Sequence, residues 1–204
     1  MKIIIIIIAI LQFSNLNAQV NDYEDMDLYN IGLKYLDSLK NDEAISYFSK
    51  AISINPENSI YFYKRGSAYF NKTAYELAIA DFEHCFKVIP DEAEYPYLIG
   101  ICYEKLNKDA MAITYYSNSI NLYSEDERFY KRRANLNFKL ENYRNTIEDY
   151  NELLLLNPKD GASYFYRGAA YYKLNDKKNA CSDWNNALLN SYSKASEYIN
   201  KICK

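Results

Sequence analysis

The chain has 204 residues, 49% of them apolar, and a formal net charge of −3. That much apolar material excludes a disordered chain, and the near-neutral balance excludes the strong basic field of a nucleic-acid or membrane-surface binder. Five Gly and four Pro are too few for a turn-rich all-β protein, whereas 23 Tyr is an excess that suits packed helices and exposed grooves alike.

The first segment, MKIIIIIIAILQFSNLNAQ, carries one positive charge at Lys2, an apolar run from Ile3 to Phe13, and a polar stretch ending Leu16-Asn17-Ala18-Gln19. This order predicts a secretory signal over 1–18, cut between Ala18 and Gln19. The apolar run is shorter than the roughly 20 residues a membrane span needs. No Cys follows it that could take a lipid, since the first is Cys85. A polar, acidic leader is expected over 19–24. The mature chain is expected to be soluble, periplasmic or extracellular, with no stable membrane insertion.

From Asp25 the chain divides into five blocks of 34 residues: 25–58, 59–92, 93–126, 127–160 and 161–194. Position 8 of the blocks reads Gly32, Gly66, Gly100, Ala134, Gly168. Position 20 reads Ala44, Ala78, Ala112, Thr146, Ala180. Position 24 is always aromatic: Phe48, Phe82, Tyr116, Tyr150, Trp184. Position 32 reads Pro56, Pro90, Ser124, Pro158, Tyr192. Positions 4, 8 and 11 share one helical face, and so do 20, 24 and 27. A turn near position 14 brings positions 8 and 20 together, so Gly66 is expected to face Ala78. Pro at position 32 closes the second helix. Each block is therefore helix–turn–helix, and stacking is what buries its apolar faces.

On these residues the chain resembles the tetratricopeptide repeat (TPR) family, over Asp25 to about Lys194. The resemblance implies an all-α, right-handed α-solenoid of five 34-residue repeats. Block 4 departs from the pattern at Ala134, Asn137 and Leu153, and block 3 carries Pro96 at position 4, which is tolerable only in a first helical turn. The segment 195–204, ASEYINKICK, reads as a short capping helix.

The four cysteines are Cys85, Cys102, Cys181 and Cys203. Cys181 and Cys203 lie symmetrically about Tyr192, so an antiparallel pair would set them level, and a disulfide is expected there. Exported bacterial members of the resembled family end in a similar Cys-bearing repeat and tail. Cys85 and Cys102 are nearly symmetric about 91–94 and form a second candidate pair. Small buried thiols are the alternative for all four.

No catalytic set emerges. His84 is the single His, with Ala80, Asp81, Lys87 and Val88 at helical spacing, which makes no metal site. There is no CxxC, GxGxxG, phosphate loop or GxSxG, and no cofactor is expected. Arg65, Arg133 and Arg167 share position 7 and predict either a ladder to neighbouring carboxylates or carbonyls, or an anion site.

The resemblance implies a concave face lined by positions 2, 5, 9, 12 and 13. Carried over residue by residue, this gives Tyr29 in block 1, Tyr63, Phe70 and Asn71 in block 2, and Tyr97 in block 3. Block 4 gives Arg128, Lys131 and Asn135, and block 5 gives Phe165 and Tyr172. Lys131 and Asn135 match part of the family's clamp for a chain-terminal carboxylate, but Tyr166 stands at the next required position. The expected function is an exported, non-catalytic module binding a protein or peptide partner. The alternatives are a structural subunit of an envelope or secretion assembly, and a carbohydrate-binding or hydrolytic protein.

Overall fold

The computed structural model describes residues 24–203. The expected signal segment and the leader up to residue 23 lie outside them. Among the described residues there are eleven helices and no strand. They are α1 (24–37), α2 (Asn41–Ile54), α3 (Ser59–Asn71), α4 (Tyr75–Val88), α5 (Glu94–Lys105), α6 (Asp109–Leu122), α7 (Glu127–Lys139), α8 (Tyr143–Leu156), α9 (Gly161–Lys173), α10 (Lys177–Leu189) and α11 (Ala195–Ile202). The even-numbered helices α2 to α10 begin at Asn41, Tyr75, Asp109, Tyr143 and Lys177, each 34 residues after the last. The fold is all-α and repetitive, as the sequence period requires.

The helices group into two compact units, one ending at Leu106 and the other beginning at Asn107. In the first, α2, α3, α4 and α5 pack each on the next. In the second, the same holds from α6 through α11.

Two local devices repeat along the chain. The first ends the odd-numbered helices. Leu39, Thr73, Asn107, Glu141 and Asn175, all at position 15, adopt a left-handed backbone with φ between 56° and 61°. Around Thr73, its own N–H donates to the Phe70 carbonyl and that of Ala74 to the Tyr69 carbonyl, both at 2.9 Å. This is the paired closure of a Schellman motif, and it reverses the chain within three residues. The second device starts α3, α7 and α9: Asn58, Asp126 and Asp160 each accept the N–H two residues on, at 3.2, 2.8 and 3.0 Å. Pro96 falls in the first turn of α5, where its missing N–H costs nothing.

The core departs from expectation in one respect. The nearest side chain to Gly32, Gly66 and Gly168 is the ring at position 24 rather than the alanine at position 20, although the Ala180 carbonyl also lies 3.1 Å from where a Cβ on Gly168 would stand. A Cβ on Gly32, Gly66 or Gly168 would come within 2.6, 2.8 or 2.9 Å of the rings of Phe48, Phe82 or Trp184. Ala44, Ala78 and Ala180 are themselves fully buried. Glycine is thus required by the bulk of an aromatic ring laid across the helix.

The Cys181–Cys203 disulfide is present, with Cα atoms 5.7 Å apart, and ties α10 to the capping helix α11. It closes over a cluster of Phe165, Trp184, Tyr192 and Tyr198. The second pair does not form: Cys85 and Cys102 are separate buried thiols. Cys85 Sγ instead donates to the Ser59 carbonyl at 3.2 Å, a contact inside its own repeat.

Candidate functional site

Three arginines brace α3, α7 and α9, which carry all the predicted site residues except Tyr29 and Tyr97. Arg65 makes a two-pronged ion pair with Asp81, through Nε at 2.9 Å and Nη2 at 2.7 Å, and its Nη1 donates to Ser49 Oγ at 3.1 Å. Arg133 does the same with Asp149 and Ser117, and Arg167 with Asp183 and Asn151. Each partner lies 16 residues ahead of or behind its arginine. Each arginine therefore joins its own helix pair to the helix before it. Of the two readings of position 7, the carboxylate ladder is the one observed. Fork geometry and burial of the aspartates make these pairs directional supports. Repeats 1 and 3 carry Ile31 and Tyr47, and Ile99 and Tyr115, at the same places.

In the second unit, a groove of about 380 Å³ is lined by Lys131, Asn135, Tyr150, Asp160, Ala162, Ser163 and Tyr166. Lys131 comes from α7, Tyr150 from α8 and Tyr166 from α9. The Tyr150 hydroxyl donates to Asn135 Oδ1 at 3.3 Å, and the rings of Tyr150 and Tyr166 stack with centroids 6.1 Å apart. Burial drives the Tyr150 phenol well above its ordinary pKa, so it remains a neutral donor. Lys131 Nζ lies 2.7 Å from Glu127 and 3.7 Å from Asp160. Those two carboxylates overbalance it, and the lysine has little attraction left for an incoming carboxylate.

In the first unit, a pocket of about 300 Å³ is lined by Ile60, Tyr63, Glu92, Glu94 and Tyr95. Tyr63 and Tyr95 meet edge to face at 6.0 Å. Tyr63 also packs on Phe82, and Lys64 places its ammonium 5.2 Å from the Tyr63 ring centroid.

The remaining predicted contact residues divide by burial. Phe165, 3% exposed, packs against Tyr192 and Tyr198, and Tyr97 is 7% exposed. Both are core residues, a correction to their placement on a binding face: aromatic flanks at positions 5 of repeats 3 and 5 are turned into the packing. Tyr29 is half-buried against Phe48 and Tyr61. Phe70 packs edge-on to Tyr75, and the exposed Asn71 donates to Asn41 Oδ1 at 3.4 Å. Arg128 is exposed and lies against Asp126, the cap of its own helix. Tyr172 is 44% exposed and lines a small pocket with Glu197, Tyr198, Lys201 and Ile202 on the cap. The repeat positions read from the sequence missed Glu92, Asp160, Tyr95 and Ser163. These are positions 34 and 3, where one repeat hands over to the next, and an adjacent-repeat reading would have found them.

With this geometry in view, comparison with known families is decisive. A tetratricopeptide repeat model matches residues 29–84 and 131–196, and a second such model matches 97–126. The chain belongs to the tetratricopeptide repeat family. Among solved structures, this TPR chain is similar to the MamA protein, at 21% identity with a TM-score of 0.75, over 85% of this chain and 94% of that one. It is similar to YrrB, described as a TPR protein with an unusual peptide-binding site, at 14% identity and a TM-score of 0.73, over 92% and 97%. The first TPR of Spaghetti (RPAP3), bound to the HSP90 peptide SRMEEVD, is 22% identical with a TM-score of 0.54, over 58% and 94%. Sequence comparison with curated proteins gives no match. At these identities the likeness establishes the TPR fold.

Among the described residues of the TPR chain, no cluster of three or more His, Cys, Asp or Glu is placed to hold a metal. His84 stacks on Phe62 at 3.7 Å, its Nε2 buried and unpaired. No described helix is long and apolar enough to cross a membrane.

Proposed function

We propose that this chain is an exported TPR interaction module that holds an extended segment of a protein partner against the odd-numbered helices of its repeats. The observation that carries this reading is the groove at Asn135. An exposed amide sits beside two stacked tyrosine rings, which suits the alternating amide and side-chain surface of a peptide. The peptide-binding site described for YrrB and the peptide bound to RPAP3 support the same mode. The grip is not a carboxylate clamp, because Lys131 is already held by Glu127 and Asp160. Export is supported by the order of the first 18 residues and by the Cys181–Cys203 bond, which persists in oxidising compartments. Catalysis forms no part of this reading.

The test is selection of peptides from a displayed random library, followed by calorimetry with the protein and with Asn135→Ala/Tyr166→Ala. Selected peptides should lose at least about tenfold in affinity to the double variant. Equal affinity would remove the groove from the proposal. The exported state is tested by intact mass of protein recovered from the producing cell, where a first residue of Gln19 is expected and a retained Met1 is the contrary result.

A second reading has its own observation. Leu155 and Leu189, 75% and 81% exposed, occupy the same position at the ends of α8 and α10. Such a recurring apolar edge suits a subunit held by its rim in an assembly. In situ cross-linking lost in Leu155→Asp/Leu189→Asp but kept in the groove variant would favour it.

A further inference from the structure

The cap helix α11 is held differently from α3, α7 and α9. It stands one period after α9, so Lys201 falls at the place of Arg167 and Asn185 at the place of Asn151. A lysine has no fork with which to make that brace. The helix α11 carries no arginine, and the Asn185 amide goes instead to the Cys181 carbonyl at 2.7 Å. It has eight residues, of which Ala195 is fully buried. A helix of that length does not persist in water without tertiary support. Its support is the packing of Tyr198, Ile199 and Ile202 on the last core cluster, and the bond from Cys203 to Cys181. The Tyr198 ring lies 5.2 Å from Trp184 and 5.0 Å from Phe165. Both cysteines are partly buried, which leaves their sulfurs within reach of a small thiol.

The same rings stand behind the groove at Asn135. Phe165 packs on Tyr192 and on Tyr198, each at 5.0 Å, and meets Tyr166 edge to face at 5.4 Å. Tyr192 lies 6.5 Å from Tyr166, which in turn stacks on Tyr150 in the groove. The Tyr192 phenol is raised above its ordinary value by burial first, and next by its hydrogen bond with Tyr166. We propose that the Cys181–Cys203 bond is a redox latch on this groove: the disulfide form docks α11 and holds the wall at Tyr166, and the dithiol form releases α11 and loosens that wall. The proposal rests on the peptide-binding reading above and adds its regulation. The docked and released cap are the two states that a ligand and the bond both bias. The first thiolate of a dithiol attacks one sulfur of the pair, and the S–S bond breaks with its electrons going to the other. The second thiolate then closes on the mixed disulfide. Two electrons pass to the protein, both cysteines end as thiols with the two protons of the reductant, and the dithiol leaves as its cyclic disulfide. The reverse exchange, with a disulfide oxidant, closes the latch. Withdrawal of Tyr198 takes from Phe165 one of the rings that seat it beside Tyr166. The Tyr192 backbone stays tied to α10 by its N–H to the Ala187 carbonyl at 2.9 Å, so binding is weakened and not abolished. In an exported chain the latch closes only where thiols are oxidised, which confines full partner binding to that compartment.

The experiment compares proton–nitrogen NMR spectra of the disulfide form, of the same protein in dithiothreitol, and of Cys181→Ser/Cys203→Ser without reductant. In the two unlatched forms the α11 amides should move to unfolded positions, Tyr166 and Asn135 should shift, and the signals of α2 to α5 should stay in place. Peptides selected on the disulfide form should lose at least about fivefold in affinity to both. By reciprocity, saturating peptide should raise the ratio of reduced to oxidised dithiothreitol at half-reduction by the same factor. An α11 that stays folded without the bond, a Tyr166 and Asn135 unmoved when α11 is released, or collapse of the whole dispersed spectrum on reduction would each overturn the proposal. The outcomes also separate the two readings. If selection yields no peptide but Tyr166 follows the state of the bond, the latch stands and the peptide-binding reading falls. If peptides bind the latched and unlatched forms equally, the peptide-binding reading stands and the latch falls.

Discussion

Replacing Arg133 by isoleucine tests whether the position-7 ladder supports the fold. Asp149 is 1% exposed, and Arg133 supplies its bonds from Nε at 3.0 Å and Nη2 at 2.6 Å. Removing one member of a buried pair leaves a charge with no counterion and costs about 3–5 kcal/mol. The lower end applies here, about 3 kcal/mol, because the Arg133 side chain is 23% exposed and Asn137 still reaches Asp149 at 3.4 Å. The chain itself contains the control. Repeat 3 has Ile99 and Tyr115 at these positions, so Arg133→Ile/Asp149→Tyr copies a solution the fold already uses. The double variant should come within about 1 kcal/mol of the parent. Trp184, the single tryptophan, is fully buried in the same unit, and its fluorescence during urea unfolding reads the stability directly. The pH dependence has a definite sign. Burial already raises the Asp149 carboxyl above its usual 3.8, with Arg133 pulling the other way. A carboxyl raised in the folded state favours folding at low pH, and that contribution is lost as pH rises through the folded value. Without Arg133 the value rises further, so the deficit should be largest near neutrality and shrink towards about pH 4. A single variant within about 0.5 kcal/mol of the parent at neutral pH, or a double variant no better than the single, would refute this account.

Thr73, a β-branched residue at φ 60°, sits in a conformation costing about 1–2 kcal/mol, so Thr73→Gly should raise stability by about 1 kcal/mol in urea unfolding after the entropy of glycine is subtracted. Gly168→Ala should lower it by about 1–3 kcal/mol despite alanine's helix propensity, since the new Cβ would meet the Trp184 ring at 2.9 Å; a gain in stability would contradict the packing described. Replacing both Cys181 and Cys203 by alanine opens a loop of 22 residues and should cost about 3 kcal/mol, read by the same Trp184 signal. Burial pushes the Cys85 and Cys102 thiols up to about 12, so a thiol reagent near pH 8 should find no fast-reacting group in the folded protein and two after denaturation.

The helices were legible in the sequence because the stack repeats one pattern, and the second helix of each repeat starts at the same phase. The Cys181–Cys203 bond was legible for a related reason: symmetry about Tyr192 is a local property of a helix hairpin. Symmetry failed at Cys85 and Cys102, where each thiol is buried separately. Sequence spacing fixes level along a helix pair, and it leaves side-chain direction to packing. The same gap misplaced Phe165 and Tyr97, since a tyrosine or phenylalanine at position 5 serves either the groove or the core. Asn137 looked like a defect of repeat 4, yet it donates to the buried Asp149, a role visible only once the Arg133 pair is seen. Glu92 and Tyr95 went unnoticed because they belong to two repeats at once.

The arginine ladder bears on how the second unit comes apart. Ser117, Arg133 and Asp149 tie α6, α7 and α8, and Asn151, Arg167 and Asp183 tie α8, α9 and α10, so α8 is common to both sets. In a nearest-neighbour description of a linear array, such bonds enter the coupling between adjacent units and not the intrinsic stability of either. Strong coupling narrows the melting transition and suppresses partly opened species. The polar bonds thus act on cooperativity: the segment from α6 to α10 should unfold as one block, with hydrogen exchange in its helix centres converging on a single opening free energy.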